Sequence, residues 1–250
     1  MDLSEIPSHP FRRHPWEEAR FGFVYRALRA AGLDAAPARI LDAGAGDGWF
    51  AAQLVRRMAP GTEIVCWDPG YTTRACPPGG GETAGVRFVA ARPDGQFDIL
   101  LLLDVLEHVE DDRSFVRSLV AESLRPGATL LITVPAWPWL FSPHDAGLKH
   151  FRRYRPGDCA RMLEAAGLEI VESGGLFHAG LPVRAAATLF GRVRRAEATG
   201  PEPFRWRHGA LAGRLVSDAL TVDNRMSAWF SRLGLEVPGL SWWARCRKPS

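Results

Sequence analysis

Three glycines at alternate positions form the pattern most suggestive of chemistry in this chain. Gly44, Gly46 and Gly48 lie between a predicted buried strand, Arg39–Asp42, and a predicted helix, Trp49–Met58. Glycine adopts backbone conformations that other residues avoid, and it lets a ligand approach the main chain closely. A strand, a glycine turn and a helix in succession are typical of nucleotide-binding α/β proteins. The pattern therefore predicts a ligand site at residues 44–48.

The residues around this turn narrow the class of ligand. A dinucleotide-binding fingerprint, G-x-G-x-x-G, requires glycine at position 49, where this chain has Trp49. Asp42 and Asp47 flank the turn, and two carboxylates repel a pyrophosphate. They favour a ligand with cationic groups, such as the ammonium and sulfonium of S-adenosylmethionine (SAM). An NAD(P)-dependent oxidoreductase with a variant turn remains an alternative.

A further carboxylate follows the second predicted strand, Glu63–Trp67. Asp68 lies 24 residues after Gly44, near the position at which an acidic side chain binds ribose hydroxyls in such folds. Asp-Pro-Gly is also an ordinary turn sequence. Because the glycine turn precedes it, we predict the ribose role.

Residues that can transfer protons or hold an acceptor follow two later predicted strands, Phe97–Leu103 and Ala128–Val134. Ligands bind at the carboxyl ends of the strands in open α/β sheets. A histidine titrates near neutral pH and can act as a base. We predict His144 as the catalytic base and His108 as the second candidate. The residues predicted to contact the substrate are Asp145, His150, Arg153 and Tyr154.

The same segment leaves open a metal-assisted alternative. Asp104, Glu107 and His108 have a spacing that allows chelation, and His144 would complete the set. Glu-His after this strand is also common without a metal. The sequence therefore favours a site with no metal ion.

The predicted elements alternate between strands and helices, which indicates an α/β fold with a doubly wound, Rossmann-like parallel sheet. We expect one domain over residues 1–250, with an N-terminal segment, 1–37, covering the site. Residues 178–238 are expected to form a helical insertion before the last strand. The predicted helices are Trp16–Ala31, Trp49–Met58, Arg113–Leu124, Pro156–Ala166, Leu181–Arg195 and Ala210–Leu233, and the remaining strands are Val86–Ala90, Glu169–Phe177 and Gly239–Arg247.

Composition and charge exclude some classes of protein. No apolar run is long enough to span a bilayer, and four scattered cysteines indicate neither a zinc site nor a disulfide framework, so a reduced cytoplasmic location is expected. Residues 178–250 carry 12 basic and 5 acidic groups, a net charge of +7. The basic stretch 181–195 predicts contact with an anionic substrate or a membrane surface, or a solvated helical face. No motif indicates a nucleic-acid partner.

Several motifs in order resemble those of class I SAM-dependent methyltransferases. They read ILDAGAGDG, FDILLLLDVLEHVED, LRPGATLLITVPA and GLSWWARCRK. The resemblance implies a seven-stranded sheet whose last strand is antiparallel. It also implies that Asp42, Gly44, Gly46 and Gly48 hold the methionine end of SAM, that Asp68 binds ribose, and that Asp104 and Leu106 lie along the cofactor. Arg92 stands where an acidic residue often contacts adenine, so the adenine contact is unassigned.

A second stretch, VPAWPWLFSPHDAGLKHFRRY, resembles a bacterial branch of these enzymes in which a segment like RHPWEEAR lies over the cofactor. The resemblance implies a small-molecule acceptor, including natural products and lipid- or sugar-linked compounds, methylated most often on oxygen. A non-catalytic SAM-fold protein that binds a partner or a membrane through residues 181–195 is the other alternative.

Overall fold

A computed structural model of the chain describes residues 12–72, 83–189 and 209–250. Three parts of the expectations above lie outside these ranges. They are the start of the N-terminal segment, most of the glycine- and proline-rich loop at 70–85, and residues 190–208, which include the end of the predicted basic helix and the polar linker.

Seven strands form one twisted sheet. In chain order they are β1 Arg39–Ala43, β2 Glu63–Trp67, β3 Val86–Val89, β4 Phe97–Leu103, β5 Leu124–Pro135, β6 Glu169–Leu176 and β7 Ser241–Arg247. The spatial order is β3-β2-β1-β4-β5-β7-β6, and β7 runs antiparallel to both β5 and β6. The expected fold is therefore confirmed. The strand order reverses between β1 and β4, which is where open α/β sheets bind their ligands.

The helices flank this sheet. They are α1 Pro15–Ala30, α2 Trp49–Val55, α3 Asp112–Ser123, α4 Pro143–Gly147, α5 Pro156–Ala165, α6 Gly180–Leu189 and α7 Ala210–Arg232. Within the described ranges, two predicted boundaries differ from the structure by three residues or more. The helix after the glycine turn ends at Val55 and not at Met58, and β5 begins at Leu124, four residues before the predicted start. The early start of β5 has a tertiary cause, because Leu124 pairs with Phe97 of β4.

The core lies in two layers, one on each face of the sheet. Along β4, Leu100 and Leu102 pack into one layer, while Ile99 and Leu101 pack into the other. Alternate side chains of a strand point to opposite faces, so a strand covered on both sides is apolar throughout. Helices α3 and α5 cover the first face, and α1 and α2 cover the second.

Helices α6 and α7 follow β6 and precede β7 in the chain. Polar side chains fasten α7 to the sheet. The backbone amide of Phe177 donates to Asn224 Oδ1 at 3.0 Å, and the indole of Trp243 donates to Ser227 Oγ at 3.0 Å. Buried polar groups are costly unless they are paired, so these contacts hold α7 in one position. No helix in the described ranges has both the length and the apolar character to cross a bilayer.

A close backbone contact beside β6 provides a test of this packing. A Cβ atom at Gly239 would lie 2.2 Å from the carbonyl oxygen of Leu176. We expect Gly239→Ala to lower the free energy of unfolding by about 2 kcal/mol or more, since the two backbones must separate. Gly157→Ala is the control, because its Cβ would meet only the flexible end of Arg161 at 3.6 Å. Equal denaturant midpoints for the two variants would contradict this packing.

Candidate active site

One cavity of about 570 Å³ lies at the carboxyl ends of the central strands. It brings together nine of the thirteen residues predicted to bind the donor, act as a base or contact the substrate, namely Gly44, Gly46, Asp68, Asp104, His108, His144, Asp145, His150 and Arg153. Four others do not line it, namely Asp42, Gly48, Leu106 and Tyr154. Residues far apart in the chain therefore share one site.

The glycine turn has the conformation that its sequence predicts. Gly44, Gly46 and Gly48 have φ angles of 73°, 55° and 71°, in the left-handed region that favours glycine. The amide of Gly44 donates to the carbonyl of Trp67 at 2.7 Å, which joins the turn to the end of β2. A Cβ atom at Gly48 would lie 2.4 Å from the ring of Phe88, so packing against Phe88 requires glycine at this position.

Asp68 is held by the same turn. Its Oδ2 accepts from the amide of Gly46 at 3.1 Å, and its Oδ1 accepts from the amide of Gly70 at 2.8 Å. Each carboxylate oxygen can accept a second hydrogen bond, so the side chain can still bind two adjacent hydroxyls. Asp68 thus organises a turn and faces the cavity at once.

Helix α1 covers the cavity and supplies a cation that sequence reasoning missed. Arg20 lines the cavity and forms an ion pair with Asp104. Arg13, just before the helix, forms ion pairs with Asp47 and with Glu17. Asp47 is therefore neutralised by an arginine, which weakens its proposed role in attracting a cationic ligand. The signal in the sequence was the segment RHPWEEAR, which was expected to lie over the cofactor and contains both Arg13 and Arg20.

Asp104 occupies a strained position at the end of β4. Its φ angle is 56°, and its Oδ1 accepts from the hydroxyl of Thr133 at 2.7 Å. A left-handed conformation is uncommon outside glycine and is associated with functional sites. The ion pair with Arg20 and the bond from Thr133 hold the carboxylate against the cavity.

Asp42 lies just behind the turn. It is 3% exposed, and in the described part of the chain its Oδ2 has no hydrogen-bond partner. Burial raises the pKa of this carboxyl to about 7, because a buried charge is poorly solvated. Leu106 is fully buried in the core and does not line the cavity, although its neighbours Val105 and Glu107 do.

Three histidines, His108, His144 and His150, line the cavity. The rings of His108 and His150 lie 4.6 Å apart between centroids, almost perpendicular to each other. Burial lowers the pKa of His144, although Asp145 acts in the opposite direction. His144 is therefore neutral near pH 7 and able to accept a proton.

Asp145 anchors the loop that carries His144 and His150. Burial alone would raise its pKa, but bonds with His150, Arg153 and Ser142 outweigh burial and hold the pKa well below its usual range. The contacts are 3.3 Å to His150 Nδ1, 2.9 Å to Arg153 Nε and 2.8 Å to Ser142 Oγ. Asp145 thus stays ionised and orients His150.

Tyr154 and the two arginines before it have separate roles. The Tyr154 hydroxyl lies 2.7 Å from Asp112 Oδ2 and 3.0 Å from the carbonyl of Leu106, away from the cavity. Arg152 pairs with Asp112 at 3.0 Å, whereas Arg153 lines the cavity. The sequence did not distinguish the two arginines, and only Arg153 points inward.

The adenine contact stays unassigned. Arg92 extends onto α3, where its guanidinium donates to Ser118 Oγ at 3.1 Å and to Ser123 Oγ at 3.0 Å. It does not line the cavity. Aromatic surface is available there from Trp67 and Phe115, whose ring centroids lie 6.0 Å apart.

A sheet with a reversed last strand, a glycine turn after β1 and an acid after β2 define a class I SAM-dependent methyltransferase. Residues 16–173 match the family described as a methyltransferase domain, and the chain belongs to that family. SAM is accordingly the methyl donor. The assignment favours methyl transfer over the oxidoreductase alternative.

Individual relatives agree with this assignment. A probable S-adenosylmethionine-dependent methyltransferase of Mycolicibacterium smegmatis is 31% identical over 203 residues, covering 76% of this chain and 73% of the relative. A ubiquinone biosynthesis O-methyltransferase of Xanthomonas euvesicatoria is 26% identical over 199 residues, covering 72% and 80%. A solved SAM-dependent methyltransferase of Mesorhizobium loti shares the fold, with a TM-score of 0.55, 17% identity, and coverage of 90% and 97%.

The first test of the site concerns the turn. A Cβ atom at Gly44 would lie 2.6 Å from Val105 Cγ2, at a φ angle of 73°. We expect Gly44→Ala to weaken binding of S-adenosylhomocysteine at least tenfold, or about 1.4 kcal/mol, measured by calorimetry. Gly32→Ala is the matched control, because its φ angle is 71° but nothing lies within 4 Å. The control should lose stability and keep its affinity. Unchanged affinity in both variants would mean that the turn does not hold the donor.

The second test concerns pH. The pKa of Asp42 in the folded protein, about 7, lies above its ordinary value of 3.8. The folded state therefore binds this proton more tightly than the unfolded state does. Protonated Asp42 stabilises the fold fully below about pH 4, and this stabilisation is lost as the pH rises through 7. The loss is on the order of 4 kcal/mol. Asp42→Asn should remove this part of the pH dependence, measured by urea unfolding at pH 5 and pH 8. An identical pH dependence in the variant would show that Asp42 titrates normally.

Proposed function

We propose that this protein transfers a methyl group from SAM to a hydroxyl oxygen of a small-molecule acceptor. The observation that carries the proposal is the shared cavity. The turn and the acid suited to SAM line one part of it, and three histidines with Arg153 line another. Methyl transfer is an in-line displacement, so donor and acceptor must meet in one enclosed space.

The donor side is assigned to residues that surround the turn. Gly44 and Gly46 would receive the methionine end of SAM, with Asp42 and Gly48 supporting the turn from behind. Asp68 would bind ribose, and Asp104 would lie along the cofactor, with Leu106 supporting the wall below it. The sulfonium supplies a good leaving group, so the protein contributes mainly alignment and removal of a proton.

His144 is the proposed base. It is neutral at pH 7 because burial lowers its pKa, and it lines the cavity. Its imidazole would take the hydroxyl proton as the oxygen–methyl bond forms and the sulfur–methyl bond breaks. His108 is the second candidate, since it lines the same wall.

The acceptor side combines apolar and cationic surface. Val109, Phe115 and Leu148 give the wall apolar area, while Arg153 and Arg184 add positive charge. This mixture suits an acceptor with an aromatic or aliphatic body and a polar or anionic group. Asp145 and His150 would contact it, whereas Tyr154 acts through the loop that it anchors. The O-methyltransferase named among the relatives supports oxygen as the methylated atom.

Four further expectations stay predictions. Contact of residues 181–195 with a membrane or an anionic substrate concerns a segment of which only the part up to residue 189 is described. Lipid- or sugar-linked acceptors, the cytoplasmic location and the absence of a nucleic-acid partner also remain to be tested.

An acceptor screen tests the proposed function. Purified protein is supplied with SAM and a panel of phenols, sugar alcohols and amines, and formation of S-adenosylhomocysteine is measured. We expect turnover with hydroxyl acceptors. His144→Asn should then lower kcat by about 100-fold or more with little change in donor affinity, because a general base contributes to the chemical step.

His178→Asn is the control, because His178 does not line the cavity and its ring lies 2.8 Å from the carbonyl of Pro238. It should keep its kcat. If the wild-type protein binds neither SAM nor its demethylated product, the proposed function is wrong. If only amines turn over, oxygen is the wrong acceptor atom.

A further inference from the structure

Three potential metal ligands meet at the wall of the cavity. Glu107 and His108 belong to a short 3₁₀ turn, Leu106–His108, after β4, and His150 belongs to the loop after α4. One ligand atom of each residue lies within 4.8 Å of the others. The amide of Phe151 donates to the carbonyl of Glu107 at 2.7 Å, which ties the two segments together.

Glu107 has an unsatisfied oxygen at this place. The residue is 1% exposed, and its Oε2 has no hydrogen-bond partner among the described residues. A buried carboxylate oxygen without a partner is expensive, so such groups are usually paired or bound to a cation. This orphaned atom is independent of the clustering of the three residues and points in the same direction.

The carboxylate of Asp145 orients the ring of His150. Its Nδ1 lies 3.3 Å from Asp145 Oδ1, and Asp145 is itself held by Arg153 and Ser142. A carboxylate that accepts from one ring nitrogen leaves the other nitrogen free to ligate, and this arrangement accompanies most metal-binding histidines. Asp145 therefore has a positioning role that its sequence neighbour His144 does not share.

We propose that Glu107, His108 and His150 bind a divalent transition-metal ion, with an open coordination position facing the cavity. Two imidazoles and one carboxylate suit Zn²⁺ and similar ions, and three protein ligands with an open position are typical of catalytic sites. Mg²⁺ fits less well because it prefers oxygen ligands in an octahedral arrangement.

The structure selects a different set of ligands from the one that spacing alone suggested. Asp104 is already paired with Arg20 and bonded by Thr133, and His144 is not part of the cluster. His150 takes its place, although it lies 42 residues from His108 in the chain.

The metal site makes the proposed function more specific, and its effect on the acceptor rests on that proposed function. An ion at this position would attract a hydroxyl oxygen in the cavity and lower the pKa of that hydroxyl. The proton would leave to His144 or to solvent, and no oxidant or reductant is needed. The site therefore favours hydroxylated acceptors over amines, which are protonated and cationic at neutral pH.

Metal binding itself provides the test. Full-length protein, stripped with EDTA and dialysed, is titrated with Zn²⁺ by calorimetry and with Co²⁺ by visible absorption. We expect one Zn²⁺ per chain and Co²⁺ ligand-field bands of a site with fewer than six ligands. Glu107→Gln and His150→Asn should each weaken Zn²⁺ binding by at least about tenfold.

His144→Asn is the matched control, because it removes an imidazole that lines the same cavity but is not one of the three ligands. It should keep its Zn²⁺ affinity. Wild-type affinity in His150→Asn, or equal losses in His150→Asn and His144→Asn, would overturn the assignment. Should the variants fail to fold by circular dichroism, the Co²⁺ spectrum of the wild type still decides, because an octahedral, water-like spectrum would overturn the proposal.

Binding of S-adenosylhomocysteine, measured on the same stripped protein, separates this proposal from the proposed function. Donor binding without any stoichiometric metal binding would overturn the metal site alone. Metal binding without donor binding would instead overturn the methyltransferase function and leave the metal site standing.

Discussion

Negative charge concentrated at the carboxyl ends of three parallel strands is the constraint on which this structure depends. Asp42, Asp68, Asp104 and Glu107 all lie at or just after the ends of β1, β2 and β4. Burying a carboxylate is costly unless a cation or hydrogen-bond donors compensate it. Donors for Asp68 come from the glycine turn, and a cation for Asp104 comes from Arg20 of α1. When helix α1 packs over the sheet, its Arg20 therefore supplies the positive charge that compensates Asp104.

The loop after β5 also contains a buried carboxylate, Asp145, whose charge is compensated by neighbouring side chains. Asp145 is enclosed by Arg153, Ser142 and His150, and the base of the loop is closed by a bond from the amide of Trp137 to the carbonyl of Tyr154, at 2.8 Å. Two buried carboxyl oxygens in the described ranges are still not compensated. Among the described residues, Asp42 Oδ2 and Glu107 Oε2 have no partner. Burial raises the pKa of both carboxyl groups, so protonation limits the negative charge that they place at the site until a cationic ligand is bound.

Much of the fold followed from local pattern. The alternation of strands with helices and the continuous apolar run of Phe97–Leu103 predicted a doubly wound sheet, and the structure and the comparisons confirm it. The glycine turn predicted its own left-handed conformations. Boundaries were less accurate where a distant partner extends an element, as with Leu124 of β5, which pairs with Phe97. Propensity and periodicity describe a segment by itself, and they carry no information about which segment lies beside it.

The sequence by itself determined the class of fold, the glycine turn and the set of polar residues at the ends of the strands, because these depend on residue types and spacings within short segments. Only the tertiary structure decided which of them meet. It paired Arg20 with Asp104, turned Arg153 inward and Tyr154 away, and placed His150, in preference to His144, beside Glu107. Electrostatic and ligand-binding interactions act over a few ångströms. Residues separated by tens of positions come that close only when the chain has folded.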